Sequence, residues 1–281
     1  MALVTAGMVG QRLDMKDETS GKWGDLTVRL ASGAVMAFIG VVAIIAGGIW
    51  FQMLAVFVTA VMVWELWKMI HPEAATSGML LAAGAASILS AQVFGPTENY
   101  EFLILFLVVP LIGAIALPHE RLTFFIFALA LQIAGWGLVH FRIDYGFLWL
   151  LWLVLVVMVT DIFGYFAGRM LGGAKFWPTV SPKKTWSGTV AGWIGAAIVG
   201  LLFMQFTDVT WVILPISMVV SFAGQMGDIG ESALKRRMKV KDSSTLIPGH
   251  GGLFDRFDAL LGASLFMLAV AEVFNVPGAA F

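Results

Sequence analysis

Long runs of apolar residues, separated by short polar segments, occupy most of the chain from residue 30 onward. A helix needs about 20 mostly apolar residues to cross the hydrocarbon core of a bilayer, which is roughly 30 Å thick. Nine segments approach this length and are predicted to be transmembrane helices, at about 30–47, 49–69, 78–95, 102–118, 121–139, 146–168, 188–206, 210–227 and 257–275. The pattern therefore predicts an all-α, polytopic integral membrane helix bundle.

The composition supports this class of protein. The chain is 59% hydrophobic and only 12% charged, whereas soluble domains carry roughly 25% charged residues. A bilayer allows apolar side chains to face outward, which water does not. The net charge of −1 gives no indication of nucleic-acid binding, and the lack of cysteine excludes disulfides and thiolate chemistry.

The positions of the basic residues predict the orientation, because Lys and Arg are concentrated in cytoplasmic loops. Nine crossings place one set of segments together on one side: the N-terminus and the loops 70–77, 119–121, 169–187 and 228–256. This side receives all of the 17 Lys and Arg residues except Arg142. We expect a cytoplasmic N-terminal lead-in at 1–28, N-terminal transmembrane helices at 29–140 and a C-terminal transmembrane catalytic region at 141–281.

The polar loop before the seventh predicted helix has features of a phosphate site. Ser181-Pro182 is typical of a turn, and Lys183, Lys184 and Thr185 follow it at the start of the helix. Helix N-termini present free N–H groups and a positive dipole end, which suit a phosphate, and the lysines add charge. The alternative is a helix N-cap with ordinary cytoplasmic lysines.

The loop between the last two predicted helices is the most polar part of the chain. Residues 229–240 are predicted to form a short helix, in which Glu231 can pair with Lys235. Its polar side chains recur at helical spacing on one face: Ser232, Lys235, Arg236 and Lys239. The glycine-rich segment 248–252 then predicts a turn whose backbone can approach a ligand closely.

Three carboxylates lie at the predicted cytoplasmic edge of the bilayer. Asp161 lies inside the sixth apolar segment, Asp228 follows the eighth and Asp255 precedes the ninth. A carboxylate there is costly unless it is paired or bound to a cation, and oxygen ligands of this kind suit Mg²⁺. Asp255 could instead interact with a helix dipole, and Asp161 could pair with Arg169 or a lysine.

A longer pattern combines these residues. Ser232-x-Leu234-Lys235-Arg236 is followed by Lys241-Asp242-x-Ser244, and then by Pro248-x-His250-Gly251-Gly252-Leu253-x-Asp255-Arg256-Phe257-Asp258. This arrangement resembles the signature of the phosphatidate cytidylyltransferases, also called CDP-diacylglycerol synthases. The upstream segments 227–232 and 181–186 resemble the family as well, although Ser187 stands where many members carry an acidic or amide residue.

The resemblance implies an inner-membrane enzyme, as a homodimer with its site facing the cytoplasm, which condenses CTP with phosphatidic acid to CDP-diacylglycerol and pyrophosphate. It implies Mg²⁺, with a possible second cation, on acidic residues matching Asp228 and Asp255, with Asp161 as a helper. The expected catalytic residues are Asp228, Asp255, Lys235, Arg236 and Asp258. The expected substrate-binding residues are Ser181, Lys183, Lys184, Thr185, Ser232, Lys241, Asp242, His250, Gly251, Gly252 and Arg256.

Two other functions fit parts of the pattern. A CTP-dependent polyprenol kinase would attack the γ-phosphorus and release CDP instead of pyrophosphate. A transporter would also accommodate an intramembrane acid such as Asp161. The charges, however, cluster at one face of the membrane rather than near its midplane, and the sequence contains no internal repeat.

Overall fold

The computed structural model describes residues 28, 31–95 and 100–274. Its elements in chain order are α1 (Ala31–Ala46), α2 (Gly48–Ile70), α3 (Ala75–Phe94), a 3₁₀ segment (Tyr100–Leu107), α4 (Val108–Ala116), α5 (Arg121–Met170), β1 (Lys175–Trp177), β2 (Ser181–Thr185), α6 (Trp186–Phe203), α7 (Ile213–Met238) and α8 (Phe254–Phe274). Within these residues, α2, α3, α5, α6 and α7 are long and apolar enough to cross a membrane. The predicted helical membrane bundle is confirmed at this level. The predicted lead-in lies outside the described residues, except for residue 28.

The longest helix, α5, changes direction at Gly146. Its 50 residues would extend about 75 Å if straight, which is more than twice the thickness of the hydrocarbon core. Gly146 has φ 86° and ψ −175°, a conformation that residues with a Cβ rarely adopt. The bend divides α5 into a first arm (residues 121–145) and a second arm (residues 147–170). The predicted helices 121–139 and 146–168 are thus the two arms of one bent element.

The prediction of a helix ending at 227, followed by a separate helix at 229–240, is wrong. Helix α7 runs without a break through both segments. Gly227 does not end it, because this glycine serves helix packing: a Cβ there would overlap the carbonyl oxygen of Asp258 and lie 2.9 Å from Cα of Gly262 in α8. Lys239, expected on the polar helical face, is instead the left-handed C-cap of α7, with φ 58°.

The polar segment expected to be a loop contains a small β-hairpin within the otherwise helical fold. Strands β1 and β2 are antiparallel, with Lys175 opposite Thr185 and Trp177 opposite Ser181. Thr185 ends the hairpin and caps α6, because its Oγ1 accepts the N–H of Gly188 at 3.2 Å. The hairpin therefore fixes where the residues just before α6 lie.

The packing of α5, α7 and α8 fixes one end of the bundle. Helix α5 contacts α2, α4, α6 and α8, and α7 contacts α8. Phe254, fully buried at the start of α8, packs edge-on against Phe127 with ring centroids 6.3 Å apart. Arg237, near the end of α7, donates to Glu120 at 2.7 Å just before α5 begins. This hydrogen bond is the main reason that the pKa of Glu120 lies below its ordinary value.

Candidate active site

The hairpin places Lys184 against α7. Its Nζ lies 2.5 Å from Oδ2 of Asp228 and donates to the carbonyl oxygen of Gln225 at 3.3 Å. The other oxygen of Asp228 accepts a hydrogen bond from Ser232 at 3.2 Å. Two residues predicted from distant segments, a phosphate-binding lysine and a metal-binding carboxylate, are thus direct neighbours.

A second lysine lies between two carboxylates. Lys235 pairs with Glu231 one helical turn earlier, as the sequence predicted, and its Nζ lies 2.8 Å from Oδ1 of Asp255. Glu231 is almost completely buried. Its Oε1 accepts no hydrogen bond from any residue that the structure describes. A buried carboxylate oxygen without a partner is costly, and a bound cation would offset this cost. This oxygen is therefore a candidate metal ligand.

Three carboxylates converge beside these lysines. Asp228, Glu231 and Asp258 each offer an oxygen, and the three oxygens lie within 4.8 Å of one another. Asp161 is close enough to repel both aspartates electrostatically. Such crowding of negative charge is unfavourable unless cations compensate it. An all-oxygen donor set with one unpartnered oxygen fits a hard divalent ion such as Mg²⁺. We call Asp228, Glu231 and Asp258 the carboxylate triad.

Asp255 belongs to the same site but is bonded differently. Its Oδ2 accepts the backbone N–H and the hydroxyl of Ser243, both at 2.9 Å, and the N–H of Gly252 at 2.8 Å. Its Oδ1 accepts a hydrogen bond from Nζ of Lys235. The carboxylate thus fastens the loop between α7 and α8 to the start of α8, and it orients the lysine that also meets Glu231.

Glu65, near the C-terminal end of the apolar helix α2, is a site residue that the sequence reasoning missed. Its fully buried carboxylate accepts the N–H groups of Leu253 and Phe254, at 3.0 and 2.7 Å, and the hydroxyl of Ser244 at 2.6 Å. The hydroxyl of Ser243 lies 3.4 Å from Oε2 of the same carboxylate. Glu65 therefore caps the N-terminus of α8 from another helix. The signal was present, because an acid inside an apolar span needs partners.

Gly251 and Gly252, in the predicted glycine-rich turn 248–252, allow carboxylates to approach the backbone. Gly251 has φ 81°, and a Cβ there would lie 2.6 Å from Oδ2 of Asp255. A Cβ on Gly252 would overlap both Ser243 Oγ and Glu65 Oε1. At these positions the lack of a side chain is therefore required by the protein's own hydrogen bonds.

His250 joins this loop to α1. Its Nδ1 lies 2.7 Å from the hydroxyl of Ser32, and its carbonyl oxygen accepts Nε and Nη2 of Arg256 at 3.0 and 2.7 Å. Ser32 also donates to the carbonyl oxygen of Pro248. The imidazole and the guanidinium thus hold the turn in place from both sides.

The other predicted binding residues fall into two groups. Ser181 and Thr185 are buried in the hairpin, where they serve local structure. Ser187 also stabilises the local structure, because its hydroxyl donates to the carbonyl oxygen of Gly172 at 2.5 Å. The second group is exposed to solvent, and its role in binding stays a prediction: Lys183, Arg236, Lys241 and Asp242.

Comparison with known proteins identifies the family of the chain. Residues 27–274 match the model of a family described as the cytidylyltransferase family. The chain is 29% identical over 247 residues to a phosphatidate cytidylyltransferase of Staphylococcus aureus (strain COL), and the alignment covers 84% of this chain and 95% of the relative.

Two further relatives with that name align over shorter stretches. The one from Staphylococcus saprophyticus is 44% identical over 119 residues, which is 41% of this chain and 46% of the relative. The one from Brucella suis is 40% identical over 142 residues, or 49% of this chain and 53% of the relative. Since the family match extends over nearly the whole described part of the molecule, the chain belongs to the cytidylyltransferase family.

Proposed function

We propose that this chain transfers the cytidylyl group of CTP to phosphatidic acid, giving CDP-diacylglycerol and pyrophosphate. The observation that carries the proposal is the contact of Lys184 and Lys235 with the carboxylate triad at one end of a membrane helix bundle. Cations and acidic ligands in this arrangement suit the transfer of a phosphoryl-type group between two anions.

The reaction needs little acid–base chemistry from the protein. A phosphate oxygen of phosphatidic acid attacks the α-phosphorus of CTP, and the bond to the β-phosphate oxygen breaks to release pyrophosphate. The nucleophile is already anionic, so the main difficulty is the repulsion between two polyanions. Lys184 and Lys235 reduce this repulsion from inside the site, and the exposed Lys183 and Arg236 do so from its rim.

We place the metal on the carboxylate triad, with Asp161 as a neighbouring acid. When bound, Mg²⁺ supplies charge neutralisation at the phosphates. Asp255, expected from the sequence to share the ion with Asp228, is not one of the three residues whose oxygens lie within 4.8 Å of one another. Its own oxygens accept hydrogen bonds from Lys235, Ser243 and Gly252. We therefore propose that Asp255 orients Lys235 and the loop, while Asp228 shares the ion with Glu231 and Asp258. A second cation, which the resemblance implies, stays a proposal.

We also propose nine crossings of the bacterial inner membrane with the site facing the cytoplasm. The bend at Gly146 supports the count, because each arm of α5 is long enough to cross once. The contact of Arg142 with Gly47, where a Cβ would lie 2.7 Å from Nη2, supports the orientation. Arg142 is the basic residue predicted to lie outside, and the contact places it beside the turn between α1 and α2. The nine-helix topology puts this turn outside as well.

The topology can be tested with single-cysteine variants, because the chain contains no cysteine. Thr179→Cys in the hairpin and Asp144→Cys near the bend both alter exposed side chains. An impermeant thiol reagent added to intact cells should label only position 144. Labelling of position 179 alone would contradict this orientation and indicate the opposite one.

We retain the homodimer implied by the resemblance as a proposal. Light scattering of the purified protein in detergent, with the detergent mass subtracted, should give twice the chain mass of 30.4 kDa. A mass of one chain would contradict it.

The activity is tested by assaying the purified protein with CTP, Mg²⁺ and phosphatidic acid. We expect pyrophosphate and CDP-diacylglycerol in equal amounts, and only when both substrates are present. Release of CDP with a polyprenol substrate would favour the kinase alternative. Substrate flux in proteoliposomes without CTP turnover would favour a transporter.

A further inference from the structure

An apolar cavity lies beside the candidate active site, between α1, α2, α5 and α8. Its volume is about 350 Å³, and its walls are almost entirely aliphatic and aromatic. This is more than twice the volume of a cavity of about 150 Å³ that stays dry and binds benzene. A cavity of this chemistry suits a hydrocarbon rather than water or a polar ligand.

The cavity reaches the first turns of α8, which carry Asp255 and Asp258, and extends into the apolar part of the bundle. Arg256 and Phe257 line one end, directly between the site residues Asp255 and Asp258 in sequence. Along α2 its lining runs from Met62 back to Phe51, a distance of about 16 Å at 1.5 Å per residue. The cavity is therefore long as well as apolar, with Arg256 at its polar end.

The residue at the polar end carries a positive charge. Arg256 uses Nε and Nη2 to hold the carbonyl oxygen of His250. Among the hydrogen bonds of the described residues, none uses its Nη1, and the side chain is exposed. A guanidinium in this state can pair with a phosphate oxygen.

We propose that this cavity receives one acyl chain of the phospholipid substrate, with the lipid phosphate at Arg256. The proposal rests on the proposed function. The phosphate of the lipid must reach the carboxylate triad, whereas its chains need apolar surroundings. A cavity that joins a cationic end next to the triad to an apolar interior meets both requirements in one binding site.

The test fills the cavity without disturbing the backbone. A Cβ added to Gly40 of α1 would meet no atom within 4 Å, so Gly40→Phe can project its ring into the cavity. Ile39→Phe is the matched control, because Ile39 is exposed on the same helix and does not line the cavity. Ala55→Phe fills the cavity from α2 and checks that the effect does not depend on α1.

The readout is the dependence of KM on acyl-chain length, measured with dioleoyl and dihexanoyl phosphatidic acid. For Gly40→Phe and Ala55→Phe we expect the KM for the dioleoyl lipid to rise on the order of tenfold, as hydrophobic pockets discriminate small changes in size by such factors. The KM for the dihexanoyl lipid should stay unchanged, and Ile39→Phe should behave like the unmodified protein with both lipids.

Two failures can be told apart. An unmodified protein that forms no CDP-diacylglycerol from either lipid would overturn the proposed function itself. An active protein whose cavity-filling variants keep the unmodified KM for the dioleoyl lipid would overturn only the acyl-chain site. Equal losses with both lipids in both variants would also overturn it, because the cavity would then not discriminate chain length.

Discussion

The carboxylate of Glu65 accepts the backbone N–H of Phe254 at 2.7 Å, across 189 positions of sequence. The acid comes from the second helix, and the N–H group belongs to the first turn of the last. Because helix N-termini leave N–H groups unpaired, a buried carboxylate there both satisfies them and complements the helix dipole. The N-terminal half thus supplies a residue that fixes the geometry of the candidate active site.

Glu65→Gln should lower both stability and kcat. An amide keeps one acceptor oxygen but presents an NH₂ group toward donors, so Leu253 or Phe254 loses its partner. Each buried donor left unsatisfied costs about 1–3 kcal/mol. The thermal midpoint in detergent and CDP-diacylglycerol formation measure the two effects. Glu73→Gln, at an exposed position between α2 and α3, is the control, and equal behaviour of the two variants would remove Glu65 from this role.

Gly252→Ala should abolish most of the activity. The added methyl group would overlap Ser243 and Glu65, so the loop that carries Asp255 must move. Gly230→Ala is a matched control in α7, where a Cβ meets no atom within 4 Å. That change should be neutral or stabilising by up to about 1 kcal/mol, because alanine favours helix over glycine. Full activity of Gly252→Ala would show that the close approach is not needed.

Lys184→Ala should raise KM for CTP or phosphatidic acid and leave the fold intact. The side chain is only partly exposed and pairs with Asp228, so its removal deprives the site of one positive charge. Lys175→Ala changes an exposed lysine of the same hairpin and should leave KM unaltered. Steady-state kinetics with each substrate varied in turn make the comparison. An unaltered KM in both variants would mean that Lys184 serves only topology and helix capping.

Asp258→Asn should increase the Mg²⁺ concentration required for half-maximal activity. Loss of one carboxylate from the triad weakens an oxygen site, and we expect a shift of at least about tenfold, since even indirect partners of a metal contribute that much. Asp255→Asn should lower kcat and thermal stability more than Mg²⁺ affinity, because its oxygens bind the loop and Lys235. The reverse pattern would indicate that Asp255, rather than Asp258, binds the ion.

Much of the molecule could be predicted from local pattern. Apolar runs located the helices, and spacing predicted the pair of Glu231 and Lys235. The continuity of α7 could not be predicted, because the apolar run ends where the polar residues begin at Asp228, whereas the backbone helix continues and packs through Gly227 against Gly262. Sequence also could not separate Asp255 from the triad, since the difference lies in which carboxylate oxygens meet in three dimensions.

Glu65 illustrates a different limit. The sequence shows an acid within an apolar segment, but its partners lie at the far end of the chain and only the fold brings them together. The β-hairpin was missed for a related reason. Its strands are short, and its Pro and Lys residues are typical of loops.

Cytidylyl transfer and kinase chemistry differ in which phosphorus atom of CTP reacts. Purified protein should be incubated with phosphatidic acid, Mg²⁺ and CTP labelled either at the α- or at the γ-phosphate. We expect the α-label to appear in the lipid product and the γ-label in pyrophosphate. Transfer of the γ-label to lipid, with release of CDP, would contradict cytidylyl transfer at this site.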